Sequence, residues 1–254
     1  MFSTGDVVRV ECLLLLDVQN VERGGVQPMK KSGAQPTKKA SVDPMKIVVL
    51  GAGQLVGLAI VKEAVARDHF VTGVVRVLER VPGMRNLREE TCLFNNFDKA
   101  VAVLSGHDVI VSALCPEREN TQELKAMTQM VIDAARKVGI KRVIVIGDST
   151  TLEIRPGVMR MHDTYFHEWD LPGAYTHLDV LERVRKATDL DWTFFSLPIT
   201  VQWGERTGKF RVGGDALLTD SVGRSQISAA DFAIPVMDEV EHPKAIHKRL
   251  TAAY

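Results

Sequence analysis

The chain has 254 residues, 45% of them hydrophobic and 25% charged, with 32 basic and 32 acidic side chains. That length can bury a sizeable core as one large domain, or as one domain with a small lobe. The balanced charge leaves no electrostatic footprint for nucleic acid, and three scattered cysteines without a CxxC spacing argue against a disulfide scaffold or a zinc site.

Residues 1–44 differ in character from the rest. Leu13 to Leu16 is apolar, but Arg9, Glu11 and Asp17 break the pattern around it, and the run is too short to span a bilayer. The segment lacks the basic start and small-residue cleavage site of a secretory signal, and its five acidic residues argue against a transit peptide. Gly24 to Pro44 is rich in Gly, Pro, Ser, Lys and Gln, the composition of a linker. The reading is a flexible or artefactual extension over 1–44 and a folded domain over 45–254. A cytoplasmic setting with no membrane association is expected.

Met45 to Arg76 organises the domain. Ile47 to Leu50 is a short β-branched run, as an interior parallel strand requires. Gly51, Gly53 and Gly57 follow at once, and then apolar residues recur at helical spacing up to Arg67. Phe70 to Val75 is a second strand. In a strand, glycine turn, helix and strand of this kind, the glycines let backbone approach a pyrophosphate, and the helix N-terminus stabilises its charge. The alternative is a turn that merely needs positive φ.

Further on, Leu78 to Glu90 reads as a loop or short helix, Thr91 to Phe94 as a third strand and Asp98 to Leu104 as a short helix. Asp108 to Leu114 is a buried fourth strand. Asn120 to Val138 is a helix closed by Gly139, and Lys141 to Ile146 a fifth strand. Gly147 to Gly173 looks like a long loop with turns at Pro156-Gly157 and Pro172-Gly173. Ala174 to Thr188 is a helix and Trp192 to Phe195 a sixth strand. A short strand, Lys209 to Val212, and a capped helix, Ser228 to Glu239, precede a last strand at Arg249 to Ala253. In that helix Asp231 stands at the capping-box position. The order predicts an α/β fold: a Rossmann-type doubly wound parallel sheet, with a small C-terminal substrate lobe formed mainly by 147–254.

Over nearly all of Met45 to Tyr254 the chain resembles the atypical short-chain dehydrogenases/reductases, in the group of NmrA-type NAD(P)-binding proteins and NADH-flavin reductases. Lys46 to Gly57 (KIVVLGAGQLVG), His107 to Leu114 (HDVIVSAL), Gly204 to Asp220 and Ser225 to Ala233 carry the resemblance. It implies cofactor contacts from Gly51, Ala52, Gly53, Gln54, Leu55, Val56 and Gly57, and from Ser112, Ala113 and Leu114. Two departures stand out. Gln54 occupies the family's middle glycine, and the exit of the fifth strand carries Asp148 where relatives are glycine-rich.

Arg76 ends the second strand, with Arg80 close behind. An arginine there suits the 2′-phosphate of NADP, whereas an acid would suit the ribose hydroxyl of NAD. NADP is the expected cofactor, with NAD as the alternative. The superfamily's Tyr-x-x-x-Lys pair is absent: Tyr175 is followed by Asp179. Ser149, Thr151 and Tyr175 remain as candidate catalytic hydroxyls, although a hydroxyl satisfying loop backbone is an equal reading for the first two. His162, His167 and His177 lack metal-ligand spacing, so no metal is expected; one of them is a candidate proton donor. Trp169, Trp203 and Phe210 offer either an aromatic wall or core packing.

The leading functional expectation is an NAD(P)H-dependent oxidoreductase passing hydride to a flat acceptor such as a flavin or quinone, acting as monomer or homodimer. The alternatives are a noncatalytic NAD(P)-sensing NmrA-like regulator and a reductase or epimerase of a carbonyl metabolite.

Overall fold

Ile47, Val48, Val49 and Leu50 are all fully buried in strand β1 (Lys46–Leu50). A strand apolar on both faces needs cover on both, which helices above and below a parallel sheet provide. The structure, a computed structural model, describes residues 42–78, 81–115 and 122–254. The expected extension lies outside the described residues up to position 41.

The chain runs on through α1 (Leu55–Ala66), β2 (Phe70–Val75), β3 (Leu87–Thr91), α2 (Phe97–Leu104), β4 (Val109–Ser112), α3 (Glu123–Val138) and β5 (Arg142–Gly147). The second half holds β6 (Glu153–Arg155), β7 (Val158–Met159), α4 (Leu171–Lys186), β8 (Asp191–Ser196) and β9 (Thr200–Gln202). It closes with β10 (Arg211–Gly213), β11 (Gln226–Ser228), α5 (Ala229–Glu241) and β12 (Lys248–Ala253). Eight strands form one sheet in the order β10-β12-β8-β5-β4-β1-β2-β3. Every neighbouring pair is parallel except β10 with β12.

Strand alternation divides the core into two layers. Ile47 and Val49 face α1 and α5, together with Val109, Val111, Ile144 and Ile146. Val48 and Leu50 face the other way, onto apolar residues of α2, α3 and α4. The α1 and α5 layer is tied by charge as well as packing. Glu63 of α1, 6% exposed, accepts from Arg67 and Arg206, while Arg67 also reaches Asp238 and Glu241 of α5.

Several expected elements shift. The third strand is Leu87–Thr91 rather than Thr91 to Phe94, because an edge strand exposes one side and tolerates the charges of Arg88, Glu89 and Glu90. Pro172-Gly173 is no turn: Pro172 lies at the start of α4, where its missing N–H costs nothing. The expected long loop contains the β6–β7 hairpin and two single 3-10 turns, Arg160–His162 and Glu168–Asp170. Pro235 sits inside α5 without ending it. Ser228 caps α5 by accepting from the Asp231 N–H at 3.0 Å, but the Asp231 carboxylate does not return to the cap as a capping box would. Instead it accepts from the Thr207 and Gly208 N–H groups and from the Thr207 and Tyr254 hydroxyls. The strands β9 and β11 pair only with each other, parallel, and were not foreseen.

Candidate functional site

The C-terminal ends of β2, β1, β4 and β5 lie side by side in that order. The register aligns Leu50 with Val74 on one side and with Ser112 on the other, and Ser112 with Val145. The residues leaving these strands, Arg76, Gly51, Ala113 and Asp148, form a staggered row: Gly51 and Ala113 are level, while Arg76 lies one residue and Asp148 two residues further along. With strands about 4.8 Å apart, the row spans roughly 14 Å, the scale of a dinucleotide laid across the edge.

At its centre, Gly51 has φ 81°, the left-handed region that an L side chain rarely adopts. A Cβ there would stand 2.3 Å from the Ala113 carbonyl oxygen, and a Cβ on Gly57 would stand 2.1 Å from the Gly51 carbonyl oxygen. The turn is thus folded tightly against both the exit of β4 and the first turn of α1. Ala52 is buried, whereas Gly53 and Gln54 are exposed. Leu55 and Val56, half-buried, begin the helix.

Gln54 is the N-cap residue, in extended conformation, and its side chain makes no capping bond; the first turn carries no acidic residue. The leading N–H groups of α1 are thus not capped by the Gln54 side chain, and no acidic residue of the first turn stands beside them, as suits an anion site. Ser112 is buried at the end of β4, and Ala113 donates its N–H to the Leu50 carbonyl at 2.9 Å. Leu114, half-buried, packs against the α2, α3 and α4 layer. The residues predicted around the turn are therefore brought together. A close backbone cradle and an open helix N-terminus fit a pyrophosphate.

Arg76 lies just past β2 and is exposed, its guanidinium 3.9 Å from the Glu123 carboxylate at the start of α3. Arg80 lies outside the described residues. Cys92 is a buried free thiol.

The three candidate catalytic hydroxyls have different surroundings. Ser149 is buried and accepts from Arg160 at 3.2 Å. Thr151 is 1% exposed and accepts from Arg249 through both its carbonyl, at 3.0 Å, and its hydroxyl, at 3.1 Å. That hydroxyl is engaged in holding the loop to β12. Tyr175 is half exposed on the first turns of α4, and Asp179, in the place of the superfamily's lysine, forms an ion pair with Lys125 of α3.

What the structure does bring to the row is a pair that sequence reasoning left apart. Asp148, at the exit of β5, uses Oδ1 to accept from the Thr150 N–H at 3.0 Å and the Thr150 hydroxyl at 2.6 Å. Its Oδ2 faces His177 Nε2 of α4 at 3.6 Å. The available signal was the Asp148 departure itself, followed by the one of the three clustered histidines that falls inside an α-helix, His177 in α4. His167 instead stacks on Trp169 with ring centroids 5.3 Å apart. Trp203 lies over Lys62 of α1, and Phe210 packs against the α1 and α5 layer.

Two surface clefts, of about 400 and 310 Å³, lie away from this row, one at the N-terminal ends of β1 to β3 and one between α3 and α4. Neither includes a residue of the glycine turn, so the site is defined by its backbone cradle. Among the described residues, no three His, Cys, Asp or Glu side chains gather as a metal site, and no helix is long and apolar enough to cross a membrane.

An eight-stranded, mostly parallel sheet with a glycine turn between its first strand and first helix defines a Rossmann-like nucleotide-binding protein. The sequence pattern of the NAD(P)H-binding family matches residues 51–243, and the chain belongs to that family. Three solved structures are similar over nearly their whole length. One, from Burkholderia pseudomallei and provisionally named an exported protein, is 38% identical, with a TM-score of 0.76, covering 83% of this chain and 100% of its own. A second, from Bacteroides thetaiotaomicron and provisionally named an epimerase, is 34% identical, with a TM-score of 0.77 and coverage of 84% and 98%. A third, from Streptococcus pneumoniae and provisionally named an NADH-flavin reductase, is 28% identical, with a TM-score of 0.74 and coverage of 82% and 99%.

Proposed function

We propose that this protein is an NAD(P)H-dependent oxidoreductase that passes hydride to a flat acceptor such as a flavin or quinone. The observation that carries the reading is the row of strand ends: Arg76 at one end, the Gly51 to Gly57 cradle and Ser112 to Leu114 in the middle, and Asp148 with His177 at the other. The pyrophosphate would rest on the first turn of α1, and Arg76 would meet the 2′-phosphate of NADP, so NADP is preferred over NAD. When bound, the reduced nicotinamide supplies the hydride. The chain's own task is then to hold both partners in register at the β5 end, which needs no Tyr-x-x-x-Lys pair. The NADH-flavin reductase relative supports this choice of acceptor.

A second reading has its own observation in favour. Gln54 in the turn, together with hydroxyls turned inward at Ser149 and Thr151, suits a dinucleotide-sensing protein without catalysis. A third, a carbonyl reductase or epimerase, draws on the Bacteroides relative. Incubating the purified protein with NADPH or NADH and a panel of flavins, quinones and carbonyl compounds separates them. Oxidation of NADPH with a flavin or quinone supports the oxidoreductase. Tight NADPH binding without turnover on any acceptor would leave the sensor.

A further inference from the structure

We propose that Asp148 is a specificity-determining residue that restricts the acceptor to flat molecules without negative charge. This rests on the hydride-transfer reading and narrows its substrate class.

The position of Asp148 carries the argument. It is the first residue beyond β5, two residues past the level of Gly51 and Ala113, on the side of these strand ends away from Arg76. Its side chain is 29% exposed. It is also fixed, because Oδ1 is held by the N–H and the hydroxyl of Thr150 two residues on. A carboxylate anchored in this way cannot swing out into solvent to relieve repulsion, as a surface aspartate would.

Its described neighbours are an imidazole and a guanidinium already engaged with Ser149 and Phe166. His177 presents Nε2 to Oδ2 at 3.6 Å, longer than a hydrogen bond. Arg160 lies nearby on the same loop. Its guanidinium donates to Ser149 and covers the Phe166 ring at 5.3 Å. Among the described residues, the polar groups at this end are the anchored carboxylate, the His177 imidazole and the Arg160 guanidinium that holds Ser149. An acceptor bearing a phosphate meets like charge here, whereas an uncharged ring system does not.

Riboflavin and flavin mononucleotide share one ring and differ by a phosphate, so comparing them isolates the charge. Two readouts are taken on the full-length protein: quenching of flavin fluorescence on binding without NADPH, and NADPH oxidation with each flavin. For the wild type, both affinity and kcat/KM should favour riboflavin by on the order of tenfold, the effect of one unfavourable charge contact in a partly exposed site. Asp148→Asn, which keeps the shape and an oxygen for Thr150, should bring the two flavins to within about twofold of each other. Circular dichroism and NADPH affinity of the variant check that the fold and the cradle are intact. Should Asp148→Asn fail to fold, Asp148→Ser with an intact spectrum takes its place.

Equal preference in the wild type, a preference for the phosphorylated flavin, or a riboflavin preference that survives in the variant would each overturn the proposal while leaving hydride transfer standing. If the wild type binds NADPH but reduces neither flavin nor any quinone, the oxidoreductase reading falls and this inference falls with it.

Discussion

The carbonyl oxygen of Gly51 lies 2.1 Å from the place a Cβ on Gly57 would occupy, so the two ends of the turn are in backbone contact. The oxygen belongs to the main chain and a Cβ is fixed directly to its own backbone, so neither can rotate away. Gly57→Ala must therefore push the first turn of α1 off the end of β1. We expect a loss of stability of roughly 1–3 kcal/mol, the usual cost of overpacking, together with loss of NADPH binding. Urea unfolding and calorimetric titration measure the two effects. A variant that keeps wild-type affinity would mean that the turn is not the pyrophosphate cradle.

Arg76→Asp tests cofactor choice. Removal of a guanidinium from the 2′-phosphate should weaken NADPH by roughly 1–3 kcal/mol while NADH changes far less. Glu123, 3.9 Å from Arg76, already competes for that guanidinium, so Glu123→Gln should shift NADPH affinity in the opposite direction, by less. Equal affinity of the wild-type protein for the two nucleotides would remove the basis for NADP preference.

Gln54 is exposed and extended, with a side chain that caps nothing. Its φ of −100° is accessible to any residue, so glycine is not needed there for conformation. Gln54→Gly should therefore tighten dinucleotide binding by clearing a side chain from the phosphate approach, and should change stability by less than about 1 kcal/mol. Weakening of NADPH binding by about 1 kcal/mol would instead identify the amide as a phosphate donor.

Acid stability follows from Glu63. Burial pushes its carboxyl up, but hydrogen bonds and charge from Arg206 and Arg67 outweigh this and hold it below the ordinary 4.5. Asp231 is likewise held below its ordinary 3.8, where burial is opposed by bonds from Thr207, Gly208 and Tyr254. A carboxylate depressed in the folded state contributes stability above its unfolded pKa, and that contribution is lost as pH falls through the folded value. Glu63→Gln should thus cost roughly 1–3 kcal/mol at neutral pH, with the gap to wild type closing only below the ordinary 4.5. Urea midpoints across the acid range test this, and a gap independent of pH would contradict it.

Much of the architecture was legible because it depends on local pattern. Ile47 to Leu50 could only be an interior strand, and Gly139, which takes φ 80°, marked the end of α3 correctly. Errors arose where tertiary context decides. The charged β3 segment is a strand because β2 offers it an edge, and Pro172 opens a helix because of its place in the first turn. The cofactor loop could be read because backbone approach demands glycine. The β5 end could not, since the engagement of Thr151 by Arg249 and the pairing of Asp148 with His177 join residues 98 and 29 positions apart.

The strand order also dictates what a ribosome must wait for. Lys46 gains its β4-side partner only from Asp108, 62 residues later, which at about 5–20 residues per second is roughly 3–12 s of synthesis with one flank of β1 uncovered. At the far side of the sheet, Val212 of β10 pairs with Ala252 of β12, so β10 is made well before the strand it lies against. The nascent protein therefore emerges with apolar strands awaiting later neighbours, and slowing of translation between β1 and β4 should raise its tendency to aggregate.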